Sequence, residues 1–271
     1  MSRLAAFIAL ALSVAATAQP IYPVQQDRHV QAAVGERYEP NSPENVEEYN
    51  SAVGFDLWQA DICAQSPTVP RAASAGQYSA VTAATIDAFG AADIIVTSGP
   101  NYGPLYFESA ENRCQVRFAV PQRATVDLVG YVSLGGFADG TSSAWTLLLH
   151  ANVELRQVAG PTLYANSIYL EMSSGEWSPE LFTDMSVAFA TELPPGVYEL
   201  LVATDLHGEA WEGWDDYPLV SGEAGYVVSA EFAPTPAEDP SEADLDSDGD
   251  VDFADYARFQ RAFTGPLLEP R

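Results

Sequence analysis

Residues 244–255 read Asp-Leu-Asp-Ser-Asp-Gly-Asp-Val-Asp-Phe-Ala-Asp. With Asp244 as position one, carboxylates fall at positions one, three and five (Asp244, Asp246, Asp248), then at seven, nine and twelve (Asp250, Asp252, Asp255), and Gly249 occupies position six. The glycine permits a sharp turn and the odd positions aim oxygens at one centre, which suits a large, hard cation taking about six to eight oxygen ligands. Two carboxylates about 6 Å apart repel by ~0.7 kcal/mol even at the dielectric constant of water. Without a cation such a loop stays open. With one, the same charges become binding energy and ion binding is coupled to local folding. The chemistry expected here is calcium binding.

The residues that follow complete a unit. Phe253, Tyr256, Phe259 and Phe263 recur at helical spacing and Gly265-Pro266 is a helix stop, while Asp252 is placed to cap the N-terminus. Pro236 and Pro240 rule out a helix entering the loop. The loop resembles that of an EF-hand; its single following helix and the aspartate at position twelve resemble a dockerin type I repeat over residues 244–266. That resemblance implies Ca2+ held by Asp244, Asp246, Asp248, Asp250, Asp252 and Asp255. A complete dockerin packs two such repeats and binds a cohesin module, so a cohesin-like or other surface-protein partner is what the resemblance implies. One repeat is present, and Tyr256, Phe259 and Phe263 have the sandwich or a second copy of the chain as further places to pack.

The body that carries this unit reads as β. Val126, Leu128, Gly130, Val132 and Leu134 alternate with Thr125, Asp127, Val129, Tyr131 and Ser133. Leu147, Leu149, Ala151, Val153 and Leu155 repeat the pattern, as do Tyr226, Val228, Ala230 and Phe232. Period-two alternation between turn clusters such as Leu193-Pro-Pro-Gly196 predicts half-buried antiparallel strands. The expected fold is an all-β antiparallel sandwich, jelly-roll or immunoglobulin-like. The expected layout is a signal peptide at 1–18, an irregular proline-punctuated lead-in at 19–50, the sandwich at 51–233, an acidic proline-rich linker at 234–243 and the calcium unit at 244–266. The signal peptide predicts a secreted, extracellular or cell-surface protein, and no other stretch is apolar enough to insert in a membrane.

Charge and cysteines narrow the function further. The chain has 38 acidic and 11 basic residues, a formal charge of -27, and its basic residues are all arginine. Such a chain repels nucleic acid and anionic membranes and attracts cations. In an oxidising compartment, Cys63 and Cys114 are expected to form a disulfide worth ~4 kcal/mol in the chain-entropy model. The three histidines, His29, His150 and His207, belong to no catalytic motif; Asp205, His207 and Glu209 would share one face if extended, but the glycine between them favours a solvated loop over a metal site. No catalytic residue is assigned.

Aromatic rings beside carboxylates occur at Asn101-Tyr102, at Glu176-Trp177 and at Trp211, Trp214 and Tyr217. Such sites hold sugars, although the last three rings could equally close the end of a core. The sequence therefore points to a secreted calcium-binding β-sandwich, non-catalytic, acting in adhesion, surface assembly or carbohydrate binding. The alternative is a polysaccharide-degrading, glycoside hydrolase-like enzyme carrying a dockerin-like repeat. A flat aromatic platform would favour binding; an open cleft with two facing carboxylates about 5 to 9.5 Å apart would favour hydrolysis.

Overall fold

The computed structural model describes residues 19–36, 42, 45–67, 71–97, 106–139, 144–174, 180–210, 219–235, 245 and 255–258. They form β1 (Tyr22–Glu36), β2 (Val46–Ser51), β3 (Trp58–Gln65), β4 (Ala72–Val81), β5 (Thr85–Thr97), β6 (Tyr106–Val120), β7 (Ala124–Asp139), β8 (Trp145–Gln157), β9 (Thr162–Ser173), β10 (Glu180–Leu193), β11 (Gly196–Ala210) and β12 (Leu219–Pro234). Two six-stranded antiparallel sheets pack face to face. Sheet A runs β2-β1-β6-β11-β8-β9 and sheet B runs β10-β7-β12-β5-β4-β3.

The strand order decides between the two topologies left open by the sequence. Within β5 to β12 the pairs nest: β5 with β12, β6 with β11, β7 with β10, β8 with β9. This is the rolled-up hairpin of a jelly roll. Two further hairpins widen it, β1-β2 beside β6 and β3-β4 beside β5.

Alternation places the core. The even-numbered residues of β6, including Ala110, Val116 and Phe118, face the even-numbered residues of β12, including Val228, Ala230 and Phe232, and all are buried. Polar groups also bridge the sheets. Tyr226 donates its hydroxyl to Asn112 Oδ1 at 2.6 Å, and Asn112 Nδ2 donates to the Gly76 carbonyl. The buried Arg28 guanidinium donates to Ser79 Oγ at 3.1 Å and to the Asp56 carbonyl at 3.0 Å. Hydrogen bonds from a charged donor contribute about 1.5–3 kcal/mol each, and satisfied groups of this kind fix the register of one sheet on the other.

Three expectations are corrected. Residues 19–50 are not an irregular lead-in, because β1 and most of β2 lie there and Val30, Ala32 and Val34 are in the core. Residues 205–209 are not a loop but part of β11, an inner strand of sheet A. Cys63 and Cys114 are both free thiols. Cys63 points outward from β3, the edge strand of sheet B, whereas Cys114 points from β6 into the sandwich and is buried. Sheet B lies between the two directions, so no bridge can close.

The connections within the roll are unequal. At one end they are residues 82–84, 121–123, 158–161 and 194–195. At the other they are residues 98–105, 140–144, 174–179 and 211–218. Gln19, the first described residue, and Thr235, which follows β12, lie at the short-connection end, where Thr235 N donates to the Arg123 carbonyl at 3.0 Å.

Candidate functional site

An outward row of large apolar side chains crosses the middle of sheet B. Register places Tyr78 beside Phe89, Phe89 beside Val227, and Val227 beside Tyr131. These four remain between 38% and 49% exposed. The Tyr78 and Phe89 rings meet edge to face with centroids 5.7 Å apart. At about 4.8 Å per strand the row spans roughly 14 Å across β4, β5, β12 and β7.

Two residues along each strand, toward the end with the longer connections, lies a row of small residues: Gly76, Ala91, Gly225 and Ser133. Asp61 and Asp184 stand at its two ends. A Cβ placed on Gly225 would come no closer than 3.4 Å to any neighbour, so the trough is open there. Glycine inside a strand weakens it and often marks close approach by a ligand. The next row reads Ser74, Asp93, Glu223, Gly135 and Phe182. Here the Phe182 ring and the Glu223 carboxylate fold over Gly135, each within 3 Å of where its Cβ would be. The site is therefore an aromatic ridge, a trough floored by small residues and an acidic ridge, all running across the strands.

Asp93 and Glu223 are direct cross-strand neighbours. Like charges directly opposite each other on a sheet are destabilising. Among the described residues, Ser74 Oγ donates to Asp93 Oδ2 at 3.4 Å, a weak bond that leaves most of this repulsion in place. The six strands of sheet B contain no arginine, lysine or histidine, whereas their ten carboxylates all point outward.

Sheet A presents a different outer face, and all three histidines lie on it. His29 Nδ1 is 2.9 Å from Asp27 and its Nε2 is 3.3 Å from Glu111. The bond to Glu111 raises the His29 pKa and lowers that of Glu111. Asp205 pairs across the sheet with Glu111 on one side and His150 on the other. Crowding by the flanking side chains, then the Glu111 charge, raises the Asp205 pKa. His207 Nε2 lies 3.1 Å from Glu209, so Asp205, His207 and Glu209 do share a face as alternation requires. Among the described residues, however, no three metal-ligating side chains gather about one centre.

Of the expected calcium ligands, Asp255 is described: it is buried and lies in a helical turn at residues 255–258, whose Arg258 donates to the Leu245 carbonyl at 3.0 Å. Asp244, Asp246, Asp248, Asp250 and Asp252 lie outside the described residues, as do Trp211, Trp214, Tyr217, Trp177 and Tyr102. Cross-strand register carries the sheet B site, and register cannot be read from one strand at a time. The usable signal was Val129 and Tyr131 on the polar face of an alternating segment.

No protein-family model matches the chain, and no curated protein matches it. Solved structures with some similarity include the enzymatically active domain of bacteriophage CBA120 tailspike protein 4, at 12% identity and a TM-score of 0.15, covering 52% of this chain and 19% of that one. TmCBM61 in complex with beta-1,4-galactotriose shows 11% identity and a TM-score of 0.15, covering 53% of this chain and 82% of that one. Infectious bursal disease virus, Gx strain, shows 11% identity and a TM-score of 0.17, covering 90% and 72%. The chain thus spans about a fifth of the tailspike domain it resembles. Similarity this slight identifies no ligand, and the jelly-roll assignment stands on strand order alone.

Proposed function

We propose that this protein is a secreted, non-catalytic carbohydrate-binding module that holds a polysaccharide chain across the outer face of sheet B. The observation that carries the reading is the row Tyr78, Phe89, Val227 and Tyr131 beside a trough that is open at Gly225 and closed at its Gly76 end by the Asp61 carboxylate. Sugar rings have apolar faces that stack on aromatic side chains, and their hydroxyls donate to carboxylates; ridge, trough and acidic ridge offer both along one line. The hydrolase reading is less well supported. It requires two carboxylates flanking a scissile bond, whereas Asp93 and Glu223 stand side by side on one open surface.

The calcium unit fits this reading as an attachment or ordering element. Six aspartates at ligand spacing, with Asp255 buried within a helical turn, supply the oxygen donors calcium takes. The chain leaves the sandwich for that unit from Thr235, at the end of β12.

Depletion assays on insoluble polysaccharides test the proposal, with Tyr78→Ala and Tyr131→Ala beside the unaltered protein. Each lost ring is expected to weaken binding roughly threefold to tenfold with the fold intact. Undiminished binding by the double variant would reject this face as the site.

A further inference from the structure

We infer that the chain held on sheet B is a cationic amino-sugar polymer, an inference that rests on the carbohydrate reading and goes on to name the ligand's chemistry. The strands of sheet B offer no basic side chain with which to meet a uronate or sulfate; among the described residues Arg123, in the connection before β7, meets Glu192 at 3.9 Å, ten residues along the strands from the acidic ridge. The basic residues within strands are confined to the other sheet: Arg28, His29, Arg113, Arg117, His150, Arg156 and His207 all belong to sheet A. A neutral glycan would need aromatic rings and hydrogen-bonding groups of either kind. It would not call for charges of a single sign.

The placement of those charges sharpens the point. Asp93 and Glu223 lie side by side on the acidic ridge, and Asp61 and Asp184 close the ends of the trough. Apposed like charges cost stability until a cation enters. Ammonium groups spaced along a polymer would meet Asp93 and Glu223 while the sugar rings lie against Phe89 and Tyr131, whose faces also attract cations. An acetylated amine loses both attractions.

The test is calorimetric titration of the full protein with a β-linked glucosamine oligomer and with its N-acetylated counterpart. The free-amine oligomer is expected to bind at least tenfold more tightly, and Asp93→Asn with Glu223→Gln should weaken it about fivefold to tenfold. Glu47→Gln with Glu171→Gln removes the same net charge from sheet A and should leave the affinity unchanged. Equal losses in both double variants would mean only that a polycation is drawn to an acidic protein, and would overturn the inference. Equal affinity for the two oligomers, still lost in Tyr131→Ala, would overturn the inference and keep carbohydrate binding on this face. Binding of both oligomers undiminished by Tyr78→Ala with Tyr131→Ala would reject sheet B as the site altogether.

Discussion

Gly225 occupies the middle of β12, an inner strand, where glycine costs about 0.5–1 kcal/mol relative to alanine. Nothing in the packing demands it, because the space above it is open to within 3.4 Å of Ser133 Oγ. On the proposed reading, the absent side chain leaves room for a glycan in the trough. Gly225→Val should therefore raise the melting temperature while abolishing glycan binding; a variant that binds normally would show the trough to be incidental. The thiols give an independent check at the same scale. Burial pushes the Cys114 thiol up to about 12, so a thiol reagent near neutral pH should modify Cys63 alone in native protein and both after unfolding. Reduction should leave the melting temperature unchanged, and a melting temperature that falls would contradict two free cysteines. Titrating groups on sheet A supply a third. His29 has a raised pKa, so its contribution to stability is complete below its unfolded value of about 6.5 and fades as pH rises through the folded value. Asp205 has the opposite sign: its raised pKa means that ionisation costs stability at neutral pH. Asp205→Asn should raise the melting temperature near pH 7 and make no difference below the normal aspartate pKa of about 3.9.

At the scale of elements, the alternating segments were legible because one face of each had to be apolar to bury. Leu147 to Leu155 and Tyr226 to Phe232 are buried as their period-two pattern requires. β1 was hidden for a physical reason: its inward positions include Arg28 beside Val30, Ala32 and Val34, and its outward positions include His29 and Gln31. A buried arginine satisfied by carbonyls from distant segments breaks the apolar pattern without breaking the strand. The same holds for the 205–209 segment of β11, where Gly208 is accommodated by Val96 and Ile94 from the opposite sheet. Deleting residues 19–51 would strip β1 and β2 from sheet A and expose the inward side of β4 around Ser79. That deletion should yield insoluble or unfolded protein by circular dichroism, whereas a true lead-in could be removed freely. Of the aromatic row, Tyr131 alone left a trace, as a large ring on the polar face of its segment. Tyr78, Phe89, Val227 and Tyr131 come from four strands spread over most of the chain, and strand order and register together make them neighbours.

At the scale of the whole molecule, carboxylates occur on both sheets while the histidines and strand arginines belong to sheet A alone, and the chain departs for the aspartate loop from the short-connection end. On this account calcium and glycan act at separate places. A chain ending at Thr235 should keep its β signal and glycan affinity while losing the calcium heat seen in the full protein; equal calcium binding by both would move the metal into the sandwich. The central claim is the location of the glycan, and hydroxyl-radical footprinting with and without a saturating oligosaccharide tests it most directly. The account predicts protection of Tyr78, Phe89 and Tyr131, with Tyr49 and Tyr169 on sheet A unaffected. Protection of the sheet A tyrosines or of residues 211–218, with the sheet B row still fully reactive, would contradict it.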